Sequence, residues 1–379
     1  MIARAVVVGA GIGGPVAALW LRRLGVDVTL AEARSGADAE GAFLGLAPNG
    51  LAVLDALGLA GAVAARGHAC DAFSFLDAHG RELGRFDRRG DRDRFGWPLT
   101  LIRRSDLHEV LADAAVAAGA ELQRGRRLVG LDGRHAVFDA GPALPFDVLL
   151  GCDGLRSAVR RCALPDTPAP TRSGLLDVGG FAPPGPALPF PPGVNVMVFG
   201  RRAFFGAFAT PSGETWWFHN GPDDVDPDRP LRERLLALHA DDPPWIRALV
   251  EGTPAPLGPW PLVALDGLRR WTTGRIALLG DAAHAMSPSA GQGASLAMED
   301  AMVLARCLRD VADPAAALAA YERERRPRVD AIAAQARRNG DGKAPRTALG
   351  AWVRDQALKL FLPLGQRAQS AAYDHRISW

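Results

Sequence analysis

The order of apolar and polar positions predicts alternating strands and helices at the beginning of the chain. The β-branched run from Ala5 to Val8 is typical of a buried parallel strand, and the stretch from Pro15 to Leu24 is typical of a helix. A second strand is predicted from Asp27 to Ala31. Because the glycine-rich segment from Gly9 to Gly14 separates the first strand from the helix, the pattern predicts a strand, a tight turn, a helix and a strand.

A different pattern occupies the middle of the chain, where Pro, Gly and aromatic residues become frequent between Ala169 and Pro261. Short apolar or β-branched runs bounded by turn residues predict an antiparallel sheet, which two earlier strands around a turn at His79-Gly80 would join. Helical patterns then return. The predicted sheet strands are 72–76, 82–86, 194–199, 203–209 and 215–218, and the later helices are 231–238, 245–250, 294–308 and 346–362.

The first glycine-rich segment has the spacing of a dinucleotide site. Gly9 permits the turn, Gly11 lets the backbone approach a pyrophosphate, and Gly14 lets the helix pack closely on the strand. Glu32 follows at about the ~20 residues where an acidic side chain accepts hydrogen bonds from an adenosine ribose. A purely structural turn is the alternative, and the flanking strand, helix and Glu32 disfavour it.

Two later segments also follow apolar runs, and together with the first they resemble one family. Asp153-Gly154 ends the run that begins at Phe146, and Gly280-Asp281 ends the run that begins at Gly274. A third stretch, from Pro288 to Asp300, continues in matching order and spacing. These motifs are similar to those of flavoprotein hydroxylases of the p-hydroxybenzoate hydroxylase type, and the resemblance covers residues 1 to about 335.

The resemblance implies an α/β fold with a Rossmann-like FAD-binding domain, an antiparallel-sheet substrate domain and a C-terminal helix. It also implies that Asp281 binds the ribityl chain, that Asp153 contacts FAD and takes part in NAD(P)H use, and that Arg104, rather than Arg103, contacts FAD. Ser295 stands where the family usually has asparagine. The implied cofactor-binding residues are Gly9, Gly11, Ile12, Gly13, Gly14, Glu32, Ala33, Arg34, Arg104, Asp153, Gly280, Asp281, Pro288, Gly291, Gln292, Gly293 and Ala294.

The glycines at 291 and 293 lead into a strongly helical run, and a helix N-terminus beside a flavin stabilises negative charge on the reduced ring. A turn before a core helix is the alternative reading of the same residues. Asp281, which precedes them, favours the cofactor.

The activity that the resemblance implies is that of a single-component FAD monooxygenase. NADH or NADPH would reduce the flavin, O2 would add at C4a, and the hydroperoxide would hydroxylate an aromatic or polyketide-like small molecule. Two alternatives stay open at this point: a flavoprotein that binds or shields an intermediate without oxygenating it, and an epoxidase or Baeyer–Villiger-type catalyst on the same fold.

The substrate cavity needs an apolar lining that excludes water, and aromatic residues of the predicted sheet offer one. Phe199, Phe205, Trp217 and Pro288 are the predicted lining residues, although alternation along a strand lets only about half of the sheet aromatics face a substrate. Ordinary sheet core is the alternative. No catalytic residue is assigned, and His219 is a weak candidate for deprotonating a phenol.

The return of cofactor motifs along the chain predicts one discontinuous domain. We expect residues 1–70, 98–170 and 268–340 in the FAD-binding domain, 71–97 and 171–267 in the substrate domain, and 341–379 in a C-terminal helical segment. A net charge of +2 argues against nucleic acid as a partner, and the four cysteines lack metal-ligand spacing. Without a signal peptide or a membrane-spanning stretch, we expect a cytoplasmic protein that is a monomer or a weak homodimer.

Overall fold

The computed structural model describes residues 2–36, 42–185, 187–223, 228–255, 257–341 and 347–379. Part of the predicted linker near residue 340, and the predicted start of the last helix at residue 346, lie outside these residues. The strands are β1 (Arg4–Val8), β2 (Asp27–Glu32), β3 (Phe43–Leu46), β4 (His68–Ala69), β5 (Ala72–Asp77), β6 (Glu82–Asp87), β7 (Thr100–Arg103), β8 (Glu121–Arg124), β9 (Leu128–Asp132), β10 (His135–Phe138), β11 (Leu144–Pro145), β12 (Val148–Gly151), β13 (Thr171–Ala182), β14 (Val194–Phe199), β15 (Phe204–Ala209), β16 (Thr215–Pro222), β17 (Leu257–Ala264), β18 (Thr272–Thr273) and β19 (Ile276–Leu278). The helices are α1 (Gly13–Arg23), α2 (Pro48–Asp55), α3 (Ala60–Arg66), α4 (Asp91–Phe95), α5 (Arg104–Ala117), α6 (Ala158–Ala163), α7 (Leu231–Leu238), α8 (Pro244–Gly252), α9 (Asp281–His284), α10 (Gly293–Asp310), α11 (Pro314–Asp341) and α12 (Ala348–Tyr373).

A six-stranded sheet with the order β18-β19-β12-β1-β2-β8 carries the predicted dinucleotide segment. Strands β19, β12, β1, β2 and β8 run parallel to one another, and β18 is antiparallel at the edge. The central strands are buried on both faces, which explains the uninterrupted apolar run from Ala5 to Val8. Helix α1 packs between α5 and α10, so the predicted Rossmann-like architecture is confirmed.

A seven-stranded sheet with the order β17-β13-β16-β15-β14-β5-β6 forms the second layer of the molecule. Its neighbouring strands are antiparallel, except that β14 runs parallel to β5. The chain between β5 and β14 passes through the six-stranded sheet, so no hairpin joins these two strands. A short hairpin requires its two strands to be antiparallel, and this constraint is absent for β5 and β14. Helices α7 and α8 cover one face of this sheet through Leu235 and Ile246.

Two three-stranded sheets complete the architecture, with the orders β3-β7-β4 and β11-β10-β9. The first of these lies against the seven-stranded sheet, where Leu101 of β7 contacts Phe208 and Trp216. It therefore forms part of the boundary between the two large sheets.

The last helix is longer than the sequence pattern predicts, since it continues to Tyr373 through Pro363. Leu358, Leu362 and Tyr373 pack against a cluster of aromatic residues on β5 and β6, and this packing stabilises the extra turns. Among the described residues, no helix has the length and apolarity needed to cross a bilayer.

Candidate active site

The turn between β1 and α1 is closely packed at its base and open at its tip. Gly9 has a φ of +101°, and a Cβ added to Gly14 would lie 1.9 Å from the carbonyl oxygen of Gly9, so only glycine allows this helix to start so near the strand. A Cβ added to Gly11 would meet no atom of the described residues within 4 Å. Ile12 gives α1 no side-chain cap, and the open side of the turn therefore suits a phosphate.

Glu32 is held beside this turn by two backbone donors. The Ala10 N–H donates to Oε2 of Glu32 over 2.8 Å, and the Arg34 N–H donates to Oε1 over 2.9 Å. Each carboxylate oxygen keeps a further acceptor position. The structure thus places Glu32 where it could accept hydrogen bonds from ribose hydroxyls next to the glycine-rich turn.

The parallel strands β1, β12 and β19 bring the three motif segments to the same edge of the six-stranded sheet. Val8 pairs with Gly151, and Gly151 pairs with Leu278, so the residues that follow each strand lie side by side. Cβ atoms added to Gly13 and Gly280 would lie 3.4 Å and 3.0 Å, respectively, from the Cβ of Ala297 on α10. The glycine-rich turn, the Gly-Asp motif and the start of α10 therefore meet at one place.

Asp281 and the start of α10 provide the polar groups on the second side of this meeting point. Gly280 has a φ of +56°, and Asp281 is exposed at the first position of α9. Helix α10 begins at Gly293 without a side-chain cap, and in the described part of the chain no atom lies within 4 Å of a Cβ added to Gly293. This uncapped N-terminus concentrates positive potential beside open space.

Several buried polar atoms at the start of α10 have no hydrogen-bond partner among the described residues. They are Nε2 of Gln292, Oγ of Ser295 and Oδ1 of Asn49. Nδ2 of Asn49 donates to Oε1 of Gln292 over 2.9 Å, which fixes the Gln292 amide with its N–H groups unpaired. Such groups are costly to bury unless a ligand pairs with them, and a heterocycle edged with carbonyl and ring nitrogen atoms, such as isoalloxazine, fits them.

A buried ionic network lies next to the start of α10. The Arg325 guanidinium bridges Glu299 and Asp300 over 2.8 Å each, and Arg328 donates to Glu299 over 2.7 Å. Asp300 also accepts from Nε2 of His284 over 2.6 Å and from the backbone N–H of Gly280 over 3.1 Å. The network joins α10 and α11 to the loop that carries Asp281.

Burial alone would raise the pKa of the Asp300 carboxyl, but His284 and Arg325 outweigh it and lower the pKa to about 2. The pKa of Glu299 is also lowered, because its burial is outweighed by Arg328 and Arg325. Both carboxylates therefore stay ionised inside the protein.

Asp153 and Arg104, two of the predicted cofactor residues, have different surroundings. Oδ1 of Asp153 accepts from the hydroxyl of Ser157 over 2.5 Å, and Oδ2 accepts from the N–H groups of Ala158 and Val159, so this carboxylate caps α6. Arg103 donates to both carboxylate oxygens of Glu214 over 2.7 Å, whereas Arg104 is exposed at the start of α5. A contact of Asp153 or Arg104 with FAD stays a prediction.

The other predicted cofactor residues lie around the same edge. Ala33 and Arg34 directly follow β2, Pro288 begins a single 3-10 turn, and Gly291 is the αL residue that ends that turn. Ala294 lies in the first turn of α10.

Alternation along the strands of the seven-stranded sheet divides its aromatic residues between two faces. We call the face toward β3 and β7 the inner face and the face toward α7 and α8 the outer face. Phe204 contacts both Phe199 and Phe218, and Phe218 contacts Phe43 of β3, so these rings belong to the inner face. Phe43, Phe199 and Phe218 are only half-buried there.

Phe205 and Trp217 belong to the outer face, and the prediction that they line a substrate cavity is wrong. Their rings stack 5.4 Å apart, both are fully buried, and they pack with residues of α7 and α8. The Trp217 indole N–H donates to the hydroxyl of Thr253 over 2.8 Å. Of the sheet aromatics predicted to line the cavity, Phe199 is on the inner face.

His219, the weak candidate for deprotonating a phenol, also lies on the outer face, away from the aromatic rings of the inner face. Its Nδ1 is 2.8 Å from Nε2 of His239, and Nδ1 of His239 is 2.7 Å from Oδ2 of Asp242. Burial lowers the pKa of His219 well below its usual value, and the histidine joins β16 to the end of α7.

A cleft of about 1620 Å³ lies between the start of β13 and α11. It touches residues 283–287, but it includes neither the glycine-rich turn nor Asp281 nor the start of α10. Arginines along it pair with acids, as Arg172 does with Asp223 and Arg337 with Asp266. The motif residues therefore identify a different place from this large cleft.

Comparisons with known proteins identify the family to which this chain belongs. The family described as FAD binding domain matches residues 3–336. Aurachin C monooxygenase/isomerase of Stigmatella aurantiaca is 31% identical over 369 residues, which cover 93% of this chain and 93% of that protein. 3-Hydroxybenzoate 6-hydroxylase of Klebsiella oxytoca is 29% identical, with 89% of this chain and 88% of that protein covered.

Among solved structures, Klebsiella pneumoniae HpxO complexed with FAD and uric acid has a TM-score of 0.86 at 26% identity, covering 98% of this chain and 96% of that one. The fold of this protein is thus that of FAD-dependent hydroxylases. The chain belongs to the family of FAD-dependent aromatic hydroxylases and monooxygenases, is an enzyme of that class, and has FAD as its cofactor.

Proposed function

We propose that this protein is a single-component monooxygenase that uses NADH or NADPH and O2 to hydroxylate an aromatic or polyketide-like small molecule. The observation that carries the proposal is the meeting of the glycine-rich turn, the Gly-Asp motif and α10 at Ala297, together with the unpaired, buried Nε2 of Gln292 at the start of the same helix. A flavin ring would pair with buried donors and with an uncapped helix N-terminus. A site that binds only a nicotinamide cofactor would give these groups no role.

In this proposal, each part of FAD has its own partner. The turn at Gly11 and the N-terminus of α1 hold the pyrophosphate, Glu32 accepts from the adenosine ribose, and Asp281 accepts from the ribityl hydroxyls. Gln292 and the N-terminus of α10 pair with the polar edge of the ring. Arg104 adds a positive charge from α5.

When bound, FAD would supply the redox chemistry, which is uptake of electrons from NAD(P)H and transfer of one oxygen atom of O2 to the substrate. The residues of the chain orient the reactants and exclude water. The N-terminus of α10 stabilises negative charge at the adjoining ring edge. The aromatic inner face provides a surface of low polarity where the seven-stranded sheet meets β3.

The inner face also indicates the chemistry of the substrate. Phe43, Phe199 and Phe218 offer half-buried rings, and the Asn220 amide donates to Oδ1 of Asp177 over 2.9 Å. Oδ1 of Asn220 is buried and has no partner among the described residues, so it suits a hydroxyl, amino or ring N–H donor. Names of similar proteins specify 3-hydroxybenzoate, 3-amino-4-hydroxybenzoate and urate, which are rings bearing such donors.

The experiment that tests the proposal records the visible spectrum of the FAD-loaded protein mixed anaerobically with NADH or NADPH and then exposed to air. A panel of hydroxylated, aminated and polyketide aromatics is tested under 18O2. We expect one class of ligand to accelerate flavin reduction and to gain one 18O atom. A flavin that stays oxidised with every ligand would instead support a binding protein, and ring expansion or an epoxide product would support the Baeyer–Villiger or epoxidase alternative.

Two variants connect this result to the inner face. Asn220→Leu should raise the KM of the accelerating ligand about tenfold, because the ligand loses one hydrogen bond in a buried place. Thr253→Val is the matched control, since it removes a buried polar group from the outer face. An equal rise of KM in both variants would contradict the placement of the substrate under the inner face.

A further inference from the structure

Helix α12 has two apolar faces, and the described residues cover only one of them. Leu358 and Leu362 pack against the aromatic cluster of β5 and β6, and a Cβ added to Gly84 of β6 would lie 2.6 Å from Leu362. The opposite face exposes large apolar side chains, including Leu349 and Leu360 at 71% exposure and Trp352 at 60%. The other exposed members are Val353, Phe361 and Leu364.

These six side chains form a continuous stripe. At 3.6 residues per turn, Leu349, Val353, Leu360 and Leu364 fall within about 60° of the helix circumference, with Trp352 on one side and Phe361 on the other. The stripe is about 22 Å long. Contiguous exposed apolar surface of this kind is unusual on a protein that has no partner.

The order of the apolar positions along the stripe is the same when it is read from either end. Reversal about the midpoint between Gln356 and Ala357 exchanges position 349 with 364, 352 with 361, and 353 with 360. Each apolar residue is exchanged with another apolar residue. A two-fold axis through this midpoint would place the stripe on an antiparallel copy of itself, which is the self-complementarity that an isologous interface requires.

We propose that the stripe of α12 binds the same stripe of a second copy of this chain in an antiparallel, two-fold symmetric dimer. Together the six side chains present roughly 700 Å² of surface, close to the ≈ 800 Å² that each partner contributes to a standard interface. The pairing sets Leu360 against Val353 of the second copy and Leu349 against Leu364 of the second copy, and Trp352 and Phe361 lie on the two borders of the interface.

The charges of α12 favour a second copy over a lipid surface. The described helix carries the cations Arg354, Lys359 and Arg367 and the anion Asp355. Arg354 is half-buried and paired with Asp355 over 2.8 Å, which leaves two cations on the rim of the stripe, whereas a membrane-surface helix needs a strongly basic polar face.

The dimer would also act on the substrate domain through the covered face of α12. The guanidinium of Arg354 donates to the carbonyl oxygens of Phe199 and Gly200, and it lies 5.4 Å from the Phe199 ring centroid. Phe199 belongs to the inner face. A partner that restrains α12 therefore restrains one border of that face.

Sedimentation velocity of the FAD-loaded full chain over a range of concentrations tests the proposal. We expect reversible dimers with a dissociation constant between about 1 and 100 μM. Leu360→Glu should weaken dimerisation at least about 100-fold, because the two-fold axis buries the charge twice. Val129→Glu is the matched control, since Val129 is 54% exposed on β9, and this variant should dimerise like the parent. A parent that stays monomeric at 200 μM, or a dimer that survives Leu360→Glu, would overturn the proposal.

Disulfide crosslinking tests the antiparallel arrangement in a Cys162→Ser background, which removes the exposed native cysteine. Ala357→Cys lies beside the axis and should crosslink two chains, whereas the two copies of Ala368→Cys would be more than about 30 Å apart and should not. Equal crosslinking at both positions would indicate parallel helices and overturn the proposal. So would a monomer that sediments with vesicles of phosphatidylserine and phosphatidylcholine.

Discussion

Replacement of Asp300 by asparagine tests whether the buried ionic network stabilises the active-site edge. Asp300 is completely buried, and it accepts hydrogen bonds from His284, Gly280 and Arg325. An asparagine has nearly the same shape, but its NH2 group would face these donors and cannot accept hydrogen bonds from them. Glu299 would then be the only carboxylate of the pair left to balance the charge of Arg325. The substitution therefore changes charge and hydrogen bonding while it preserves packing.

Two estimates give the size of the expected effect. Removing one partner of a buried ion pair costs about 3–5 kcal/mol, because the remaining charge is left uncompensated. The second estimate comes from the pKa of Asp300, which lies at about 2 in the folded protein against 3.8 as its ordinary value. This shift corresponds to about 2–3 kcal/mol of stability. Because the folded pKa is the lower one, that stability is present above pH 3.8 and is lost as the pH falls through 2.

The assay is urea unfolding of the FAD-loaded protein, monitored by circular dichroism at several pH values. Asp300→Asn should lower the free energy of unfolding by about 3–5 kcal/mol at pH 7, and it should flatten the loss of stability between pH 4 and pH 2. Asp310→Asn is the control on the same helix, where an exposed carboxylate pairs with Arg309, and it should change little. Equal stabilities of the two variants at pH 7 would refute the reasoning.

Three further predictions concern the cofactor and the two faces of the sheet. Gly14→Ala should abolish FAD retention and lower the melting temperature, because its Cβ would lie 1.9 Å from the Gly9 carbonyl oxygen. A normal FAD content in this variant would show that the helix can shift. Asp281→Ala should raise the Kd of FAD about 10- to 100-fold in fluorescence titrations through loss of a charged acceptor; an unchanged Kd would remove Asp281 from the site. Phe218→Ala should raise the KM of the substrate, whereas Trp217→Phe should only reduce stability; steady-state kinetics and thermal melts that showed the reverse would exchange the two faces.

The dinucleotide turn could be predicted from the sequence because its chemistry is local. A strand, three glycines at fixed spacing and Glu32 specify both the backbone path and the place of the phosphate within one short segment. Gly280-Asp281 could be recognised in the same way, since it also directly follows a buried strand. The structure adds that β12 lies between β1 and β19, which explains why motifs far apart in the chain form one site.

The two faces of the seven-stranded sheet could not be assigned from the sequence. Strand β15 begins Phe204-Phe205 and β16 contains Trp216-Trp217-Phe218, so aromatic residues occupy both alternation phases. Both phases are apolar because α7 and α8 bury the outer face while the inner face meets β3 and β7. The phase therefore depends on tertiary packing, which the strand pattern does not contain.

The ionic network escaped prediction for a related reason. Glu299 and Asp300 are visible within the otherwise uncharged first three turns of α10, and such a pair signals buried charge. Their partners come from α2, α9 and α11, where Asn49, His284, Arg325 and Arg328 have no common spacing. A buried charge can be suspected from one helix, but its counter-charge requires the fold.

The strand order of the six-stranded sheet also determines when this enzyme can mature on the ribosome. Strand β1 is made at the start of synthesis, yet it pairs with β12, and the outer side of β12 waits for β19 near residue 276. Helices α10 and α11 follow later still, and they carry Glu299, Asp300, Arg325 and Arg328 of the ionic network. The nascent chain therefore spends most of its synthesis with an unpaired strand edge, and it can capture FAD only after almost all of its length has emerged.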